Sequence, residues 1–450
     1  MHRKTSRRQF LVGASVFTAG TIGFPFVSRA QNKGDQVRMA VIGSAGQGGV
    51  GFGAAMGQQL VAMVDVDLRQ RAAENLAAGK EKFPGVKVYT DYRRMFDDHL
   101  GLDAVWVATP DHSHFPAAVR ALDAGLAVYC EKPLTHSIRE AKVLRDMAGA
   151  KRAVTQMGNQ GHSSESIRLI VEYLQSGLLG DVTTLHCVSN RSFSASTRPP
   201  TGPVPEGLDW EAWLGPAPFR EYHDGLHPFA WRGYLDFGTA SLGDMGCHTI
   251  DGAVWGLRLD EADTVEVVAE AGGTTAEGYT PEARIVYTFP ARGNLPPVTM
   301  TWWNGGGGKN LPPRPPMLEE GREQLQEGTY YYGTKAALMS GSHCQGVRIF
   351  PETAMKEAGK PPQVVPRVPG HTEDFLRAVK DPTAPAPSSN FAYSTRLTEI
   401  VLLGTVALRA GQGTRIVYDM KAGKVITNNG ALNTLLWRAP RKGWEFGYPV

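Results

Sequence analysis

Acidic residues are missing from the first thirty positions, and cysteine is scarce throughout, with 4 in 450 residues. Cys130, Cys187, Cys247 and Cys344 lie far apart and form no C-x-x-C pair, which excludes a thioredoxin-type motif or a zinc ribbon. An exported protein can form disulfides, but four thiols in a core this large are expected to be buried and free. Cys247-His248 and His343-Cys344 each join two potential ligands. Neighbouring side chains on a helix or strand point apart, so no metal site is expected. An excess of positive charge is lacking too. Arg3, Lys4, Arg7, Arg8 and Arg29 fall in residues 1–30, and the remaining 42 bases against 44 acids leave about −2. Nucleic acid is therefore not an expected partner.

A convincing membrane span is also wanting. The uncharged run from Gln9 to Ser28 is interrupted by Gly13, Gly20, Gly23 and Pro25, and its apolar density is low. Paired arginines in "TSRRQFLVGAS" precede it, and the small-x-small site Ser28-Arg29-Ala30 follows. Residues 1–30 are thus expected to be a twin-arginine signal, giving a periplasmic or extracytoplasmic protein with no stable membrane anchor. That route carries folded proteins, often with a cofactor already loaded.

What remains is long enough for two domains with cores of their own, and 42% hydrophobic with 20% charged residues is ordinary for a globular chain. From Val37 onward, apolar runs ("VRMAVIG", "LVAMVDV", "DAVWVATP", "LAVYCEKP", "RAVTQMG") alternate with helical patterns ("RQRAAENLAAG", "DYRRMFDDHL", "HFPAAVRALDAG", "SIREAKVLRDMAGA"). The alternation predicts a parallel, doubly wound sheet over residues 33–157. Over 158–450 the strands "VTTLHCVSN", "TVEVVAEAG", "ARIVYTFP" and "PVTMTWW" follow one helix without helices between them. This segment is expected to be an α+β domain with a large, mostly antiparallel sheet, used for substrate and for oligomerisation as a dimer or tetramer. Two late helices, in "HTEDFLRAVKD" and "YSTRLTEIVLLGTVALRAG", should pack on that sheet or return to the first domain.

"VIGSAGQGGVG" follows the first strand. Glycines let a backbone approach a pyrophosphate, and the next helix offers its amide end. Gly43 and Gly48 fit a G-x-G-x-x-G register, but the middle position is Ala45, with Gly46 and Gln47 beside it. Asp65 closes the second strand some twenty residues on, where a carboxylate can accept from an adenosine ribose and repel a 2′-phosphate. NAD is expected, with NADP disfavoured. In such a sheet the ligand lies beyond the carboxyl ends of the strands. That rim would carry Thr109, Pro110, His112 and His114, and also Glu131 and Lys132, which end the apolar run "AVYCEKP". The bland alternative for Lys132 is a solvated strand end.

In "SLGDMGCHTIDGAVWGL", a helix would put Asp244, His248 and Asp251 on one face. This suits an imidazole oriented by a carboxylate one turn away; an exposed polar face is the alternative. With the Gly-rich turn, "ATPDHSH", "EKPL", "QMGNQGH" and the late "HTEDFLRAV", the chain resembles the Gfo/Idh/MocA family of glucose–fructose oxidoreductase and inositol dehydrogenase over nearly its whole mature length. The resemblance implies that Lys132 contacts substrate and nicotinamide, and that Asp244 and His248 orient the substrate and exchange its hydroxyl proton. Asn159 and Gln160, assigned to the cofactor side, stand where many members have an asparagine–arginine pair. Trp231, Arg232 and Tyr234, with Asp251, are the candidate substrate residues. Trp210, Trp213, Trp302 and Trp303 suit a sugar ring or, individually, a packed core.

The chemistry expected is oxidation of a carbinol: His248 takes the hydroxyl proton and Lys132 stabilises the developing oxygen charge. The resemblance therefore implies an exported NAD-dependent oxidoreductase of a sugar, sugar derivative or polyol, with the cofactor held tightly. Relatives that act as redox-neutral glycosidases, by transient oxidation, elimination, hydration and re-reduction, offer a rival reading. A non-catalytic carbohydrate-binding homologue is a third.

Overall fold

The computed structural model describes residues 36–446 apart from Pro382; the expected export signal lies outside them. The first half begins as a strict alternation: β1 (Arg38–Ile42), α1 (Gly48–Ala55), β2 (Gln59–Val64), α2 (Gln70–Lys82), β3 (Lys87–Tyr89), α3 (Tyr92–Asp97), β4 (Ala104–Val107), α4 (Asp111–Asp123), β5 (Ala127–Glu131), α5 (Ile138–Lys151) and β6 (Thr155–Gly158). The strands pair in parallel in the order β3-β2-β1-β4-β5-β6. β4 and β5 are buried at every position, which is why they are written as unbroken apolar runs. The strand order reverses between β1 and β4, so a crevice opens at their carboxyl ends. β3 was not anticipated. It has three residues, lies at the sheet edge and begins with an exposed Lys87, so it carries almost no pattern.

After α6 (Glu165–Gln175) the chain enters the second sheet through β7 (Val182–Ser189). A long excursion follows, containing α7 (Trp210–Leu214), α8 (Ala240–Thr249) and α9 (Asp251–Gly256). Then come β8 (Thr264–Ala271), β9 (Ala283–Phe289), β10 (Val298–Asn304), β11 (Gly328–Gly333), β12 (Ala337–Gly341) and β13 (Arg348–Phe350). The chain closes with α10 (Glu352–Ala358), α11 (His371–Lys380), α12 (Phe391–Ala410), β14 (Ile416–Asp419) and β15 (Lys424–Val425). The nine strands run β13-β12-β11-β7-β10-β9-β8-β14-β15, antiparallel except where β7 meets β10. Alternating burial along β9 and β10 puts Ile285, Tyr287, Met300 and Trp302 on the packed face. Trp302 is therefore core.

The last helices join the halves. Phe375 and Val379 of α11 pack into the apolar cluster of the first sheet with Met39, Val41, Trp106 and Tyr129. α12 lies between α5 on one side and α8 and β8 on the other. It is long and apolar enough to cross a membrane, yet 83% of its most apolar window is buried inside the protein. A core helix between two domains satisfies the same composition.

Two further segments cross the crevice. In the excursion, Leu68 N donates to Gly207 O at 2.8 Å and Asp209 N to Val66 O at 2.8 Å, stitching the segment to the end of β2. Near the C-terminus, Arg93 lies 3.7 Å over the Trp444 ring and Phe115 meets Phe446 edge-on at 4.9 Å. The rim of the first sheet is thus roofed by parts of the chain remote in sequence.

Candidate active site

Beneath that roof lies a cleft. Gly43, Gly46, Gln47 and Asp65 line it on one side, Thr109, Pro110, His114, Glu131 and Lys132 along the rim, and Trp231, Arg232 and Asp244 from the second half. Residues from both halves of the sequence therefore share one space. Trp213 and Trp444 also face it.

The Gly-rich turn explains its own irregular spelling. Gly43 has φ +83°, and a Cβ there would stand 2.6 Å from Ala108 O. The second left-handed residue is Gly46, φ +53°, with open space where a side chain would go; Ala45 does not need that conformation. Asp65 accepts from Ser44 N at 2.7 Å, Ser44 Oγ at 2.8 Å and Asp67 N at 3.0 Å. It ties the turn to β2, and its two oxygens still have an acceptor position to spare for a ribose hydroxyl. A bare backbone cradle and a carboxylate at the end of β2 fit a dinucleotide.

At the other end of the rim, Lys132 Nζ lies 2.9 Å from Asp244 Oδ1. Arg232 Nε is 3.3 Å from the same oxygen, and Arg191 Nη1 is 3.3 Å from Oδ2. Both members of the first pair are largely buried, at 11% and 8% side-chain exposure, so Lys132 is not a solvated strand end. Burial alone would raise Asp244; Lys132 and Arg232, with Arg191, outweigh it and hold the carboxyl below its usual range. Its neighbour Glu131 behaves oppositely. Burial pushes it up to about 8 against the lowering pull of Lys132 and Gln160, so it keeps its proton at neutral pH, facing the cleft.

His248 is 4% exposed. Burial, then the charge of Lys132, holds its imidazole well below the ordinary histidine range, so it is a neutral acceptor. It does not pair with Asp244 as expected: the carboxylate is drawn to three cations, and Nδ1 of His248 has no hydrogen-bond partner.

Several expected site residues lie elsewhere. Ile250 separates α8 from α9, and Asp251 does not continue the catalytic face. Asp251 accepts from Asn159 Nδ2 at 2.8 Å and Tyr393 OH at 2.6 Å, and lies 2.9 Å from His162 Nδ1. Ser389 Oγ occupies the other end of Asn159 at 2.6 Å. Asn159 and Asp251 form a buried polar knot instead of lining the cleft; satisfying each other is what makes their burial affordable. His112 is fixed between Trp213 O and Phe237 O at 3.0 and 3.3 Å, inside the roof. His114 does line the cleft, but both its ring nitrogens are committed, 2.7 Å from Pro133 O and Thr109 O, bracing two rim loops against each other. Gly48 sits behind the turn, and Tyr234 packs with Trp210 and Trp213 in the roof's apolar core. The four cysteines are buried and free. Among the described residues no cluster of three or more His, Cys, Asp or Glu is placed to hold a metal ion. Arg191, Trp444 and His343 were missed. Arg191 sits just past β7 with no motif, and His343 belongs to a turn that spacing does not connect to α8.

Family profiles match two consecutive segments: an oxidoreductase family with an NAD-binding Rossmann fold over residues 37–159, and that family's C-terminal α/β domain over 167–294. Together they span more than half of the sequence. The chain belongs to the Gfo/Idh/MocA oxidoreductase family. Its N-terminal domain is the family's NAD-binding Rossmann domain. Among curated relatives, inositol 2-dehydrogenase 4 of Saccharopolyspora erythraea is 34% identical over 140 residues, 31% of this chain and 39% of that one. Levoglucosan dehydrogenase of Pseudarthrobacter phenanthrenivorans is 27% identical over 163 residues, 36% and 34% of the two chains. The chain spans about half the length of the first curated relatives it matches. The structure of an aldose–aldose oxidoreductase from Caulobacter crescentus, 15% identical, superposes with a TM-score of 0.56 over 85% of this chain and 99% of that one, a likeness of fold.

Cofactor choice can be tested at Asp65. Asp65→Asn keeps an acceptor for Ser44 and removes the charge that opposes a 2′-phosphate. The ratio of NAD to NADP affinity should fall about tenfold, or ~1.4 kcal/mol, by titration of the cofactor-free chain. An unchanged ratio would take the role away from Asp65.

Proposed function

We propose that this protein oxidises a CH–OH group of a sugar, sugar derivative or polyol, outside the cytoplasm, using NAD that stays bound. The observation that carries the reading is the Lys132–Asp244 pair, 2.9 Å apart, closing the same cleft that begins at the Gly-rich turn. Glu131 and Lys132 with the rim loop Thr109–Pro110 would hold the cofactor, which when bound accepts the hydride from the carbinol carbon. The chain's own residues do the rest. Lys132, Arg232 and Asp244 grip hydroxyl oxygens, neutral His248 takes the hydroxyl proton, and the Lys132 ammonium offsets charge building on that oxygen. The roof supports retention: Trp213, His227, Trp231 and Trp444 line the same cleft as the Gly-rich turn. Relatives named for inositol and levoglucosan, both ring-shaped polyhydroxy compounds, support the substrate class, and an aldose–aldose oxidoreductase of like fold suits a cofactor recycled between two sugars.

Mass spectrometry of the denatured, exported protein should find NAD in near-equal amount. Turnover with myo-inositol, levoglucosan, aldoses and a glycoside panel then tests the reaction. Consumption of a carbinol substrate with matching reduction of the cofactor, or of a second sugar, supports the proposal. Glycoside cleavage without net reduction would replace it by the redox-neutral reading, and binding without turnover by the non-catalytic one.

Export is tested separately. Arg7→Lys together with Arg8→Lys should leave the protein in the cytoplasm, because the paired arginines are the address; a processed form starting near Gln31 outside the cytoplasm would refute it. Assembly belongs to the same proposal. Val286 and Trp303, on the less buried face of the large sheet, offer a surface to a second copy, and light scattering should give a dimer or tetramer rather than a monomer.

A further inference from the structure

With Asp244 committed to three cations, something else must orient His248. The ring lying against it is that of His343, in the turn between β12 and β13, with centroids 4.0 Å apart and planes at 31°. The turn is built at a cost. His343 and Cys344 both adopt positive φ, +56° and +59°, a conformation that is strained for a non-glycine residue. His343 O presses on Gly161, where a Cβ would stand 2.5 Å away. Ser342 Oγ lies 2.7 Å from His343 Nδ1, and Cys344 Sγ donates to His248 O at 3.3 Å. The turn therefore meets His248 twice, ring against ring and thiol against carbonyl.

We propose that His343 is the positioning residue of His248: it fixes the plane of that ring and competes with it for a single positive charge. The inference deepens the reading of His248 as the base. His248 is faced by Lys132 at the end of β5, Arg191 beyond β7, His371 at the start of α11 and His343 itself. His343 is faced by Lys132, Arg191, Glu327 and Asp244. Among so many cations, two imidazolium rings 4.0 Å apart are not compatible. Burial lowers both, and His343 lowers His248 further. A neutral partner ring in close, tilted contact holds the plane of His248 without taking the proton His248 must accept.

The test follows the two rings in the full-length, NAD-loaded chain labelled with ¹⁵N-histidine, by long-range ¹H–¹⁵N correlation across pH. In the unmodified protein the two should titrate as a coupled pair, in separated steps; independent single-step titrations would overturn the proposal. His343→Phe keeps a flat neighbour and removes the competing charge, so the midpoint of His248 should move upward while its ring signals stay sharp. His343→Ala should move the midpoint upward as well and broaden the signals, because the ring loses its support. Unchanged midpoint and line shape in either variant would also overturn it. Thermal unfolding and NAD content are measured on each variant first, and only a folded, NAD-loaded variant is read, because unfolding by itself would return His248 upward to the ordinary histidine range. Because no substrate is needed, a failure here is distinguishable from a failure of the proposed oxidation.

Discussion

Lys132→Ala should lower turnover by about 100-fold or more, the scale of one lost preorganised donor. A lysine ending a strand in water would cost within ~0.5 kcal/mol. The geometry decides between these. The ammonium is nearly buried and held 2.9 Å from a carboxylate of the other domain, so it is aimed before substrate arrives and spends nothing on ordering during reaction. Removing it leaves Asp244 with Arg191 and Arg232, so no buried charge is orphaned and folding should survive. His248→Ala should also lower turnover. The double variant should cost less than the sum of the two, because both groups serve one proton-and-hydride event. Single-turnover measurements at saturating substrate, with NAD content checked by mass spectrometry, read the effect. Full activity in Lys132→Ala would remove the lysine from the site.

The same residues show how far a linear pattern reaches. Lys132 was found because a strand end and a charge coincide, and the strand-end rule says where ligands lie in a parallel sheet. Asp244 and His248 were found because helical spacing is local. Their partners were not. Helical spacing puts a carboxylate and an imidazole side by side, but which group each then faces depends on Arg191, 53 residues before Asp244, and on a turn 95 residues after His248. Asp251 failed for a related reason. Its position on α9 continues the catalytic face on paper, yet Asn159, His162 and Tyr393 offer it a buried set of donors on the other side. Long buried strands announced themselves, whereas β3, with three residues at an edge, did not. The roof was illegible altogether, since it is made from two segments whose meeting, Arg441 on Glu211 and Gly215, has no local signature.

The Gly-rich turn carries the second large effect, and here a departure in spelling becomes a ranking. A Cβ on Gly48 would stand 1.7 Å from Gly43 O. The obstacle is backbone, so no side chain can swing away. Gly43 has its own close neighbour, since a Cβ on it would stand 2.6 Å from Ala108 O just past β4. Gly48→Ala should therefore cost about 3 kcal/mol of stability, the upper end for overpacking, and abolish NAD retention by prising α1 from the turn. Gly46→Ala faces open space but keeps φ +53°, so it should cost only ~1 kcal/mol while its methyl intrudes on the cleft. Ala45→Gly, which restores the G-x-G-x-x-G spelling, should change neither stability nor NAD content appreciably, because the left-handed position is already filled by Gly46. Denaturant unfolding with mass-spectrometric NAD content on the three variants gives the order. A stable, NAD-loaded Gly48→Ala protein would mean that α1 can slide away from the turn and that the backbone cradle is not what holds the dinucleotide.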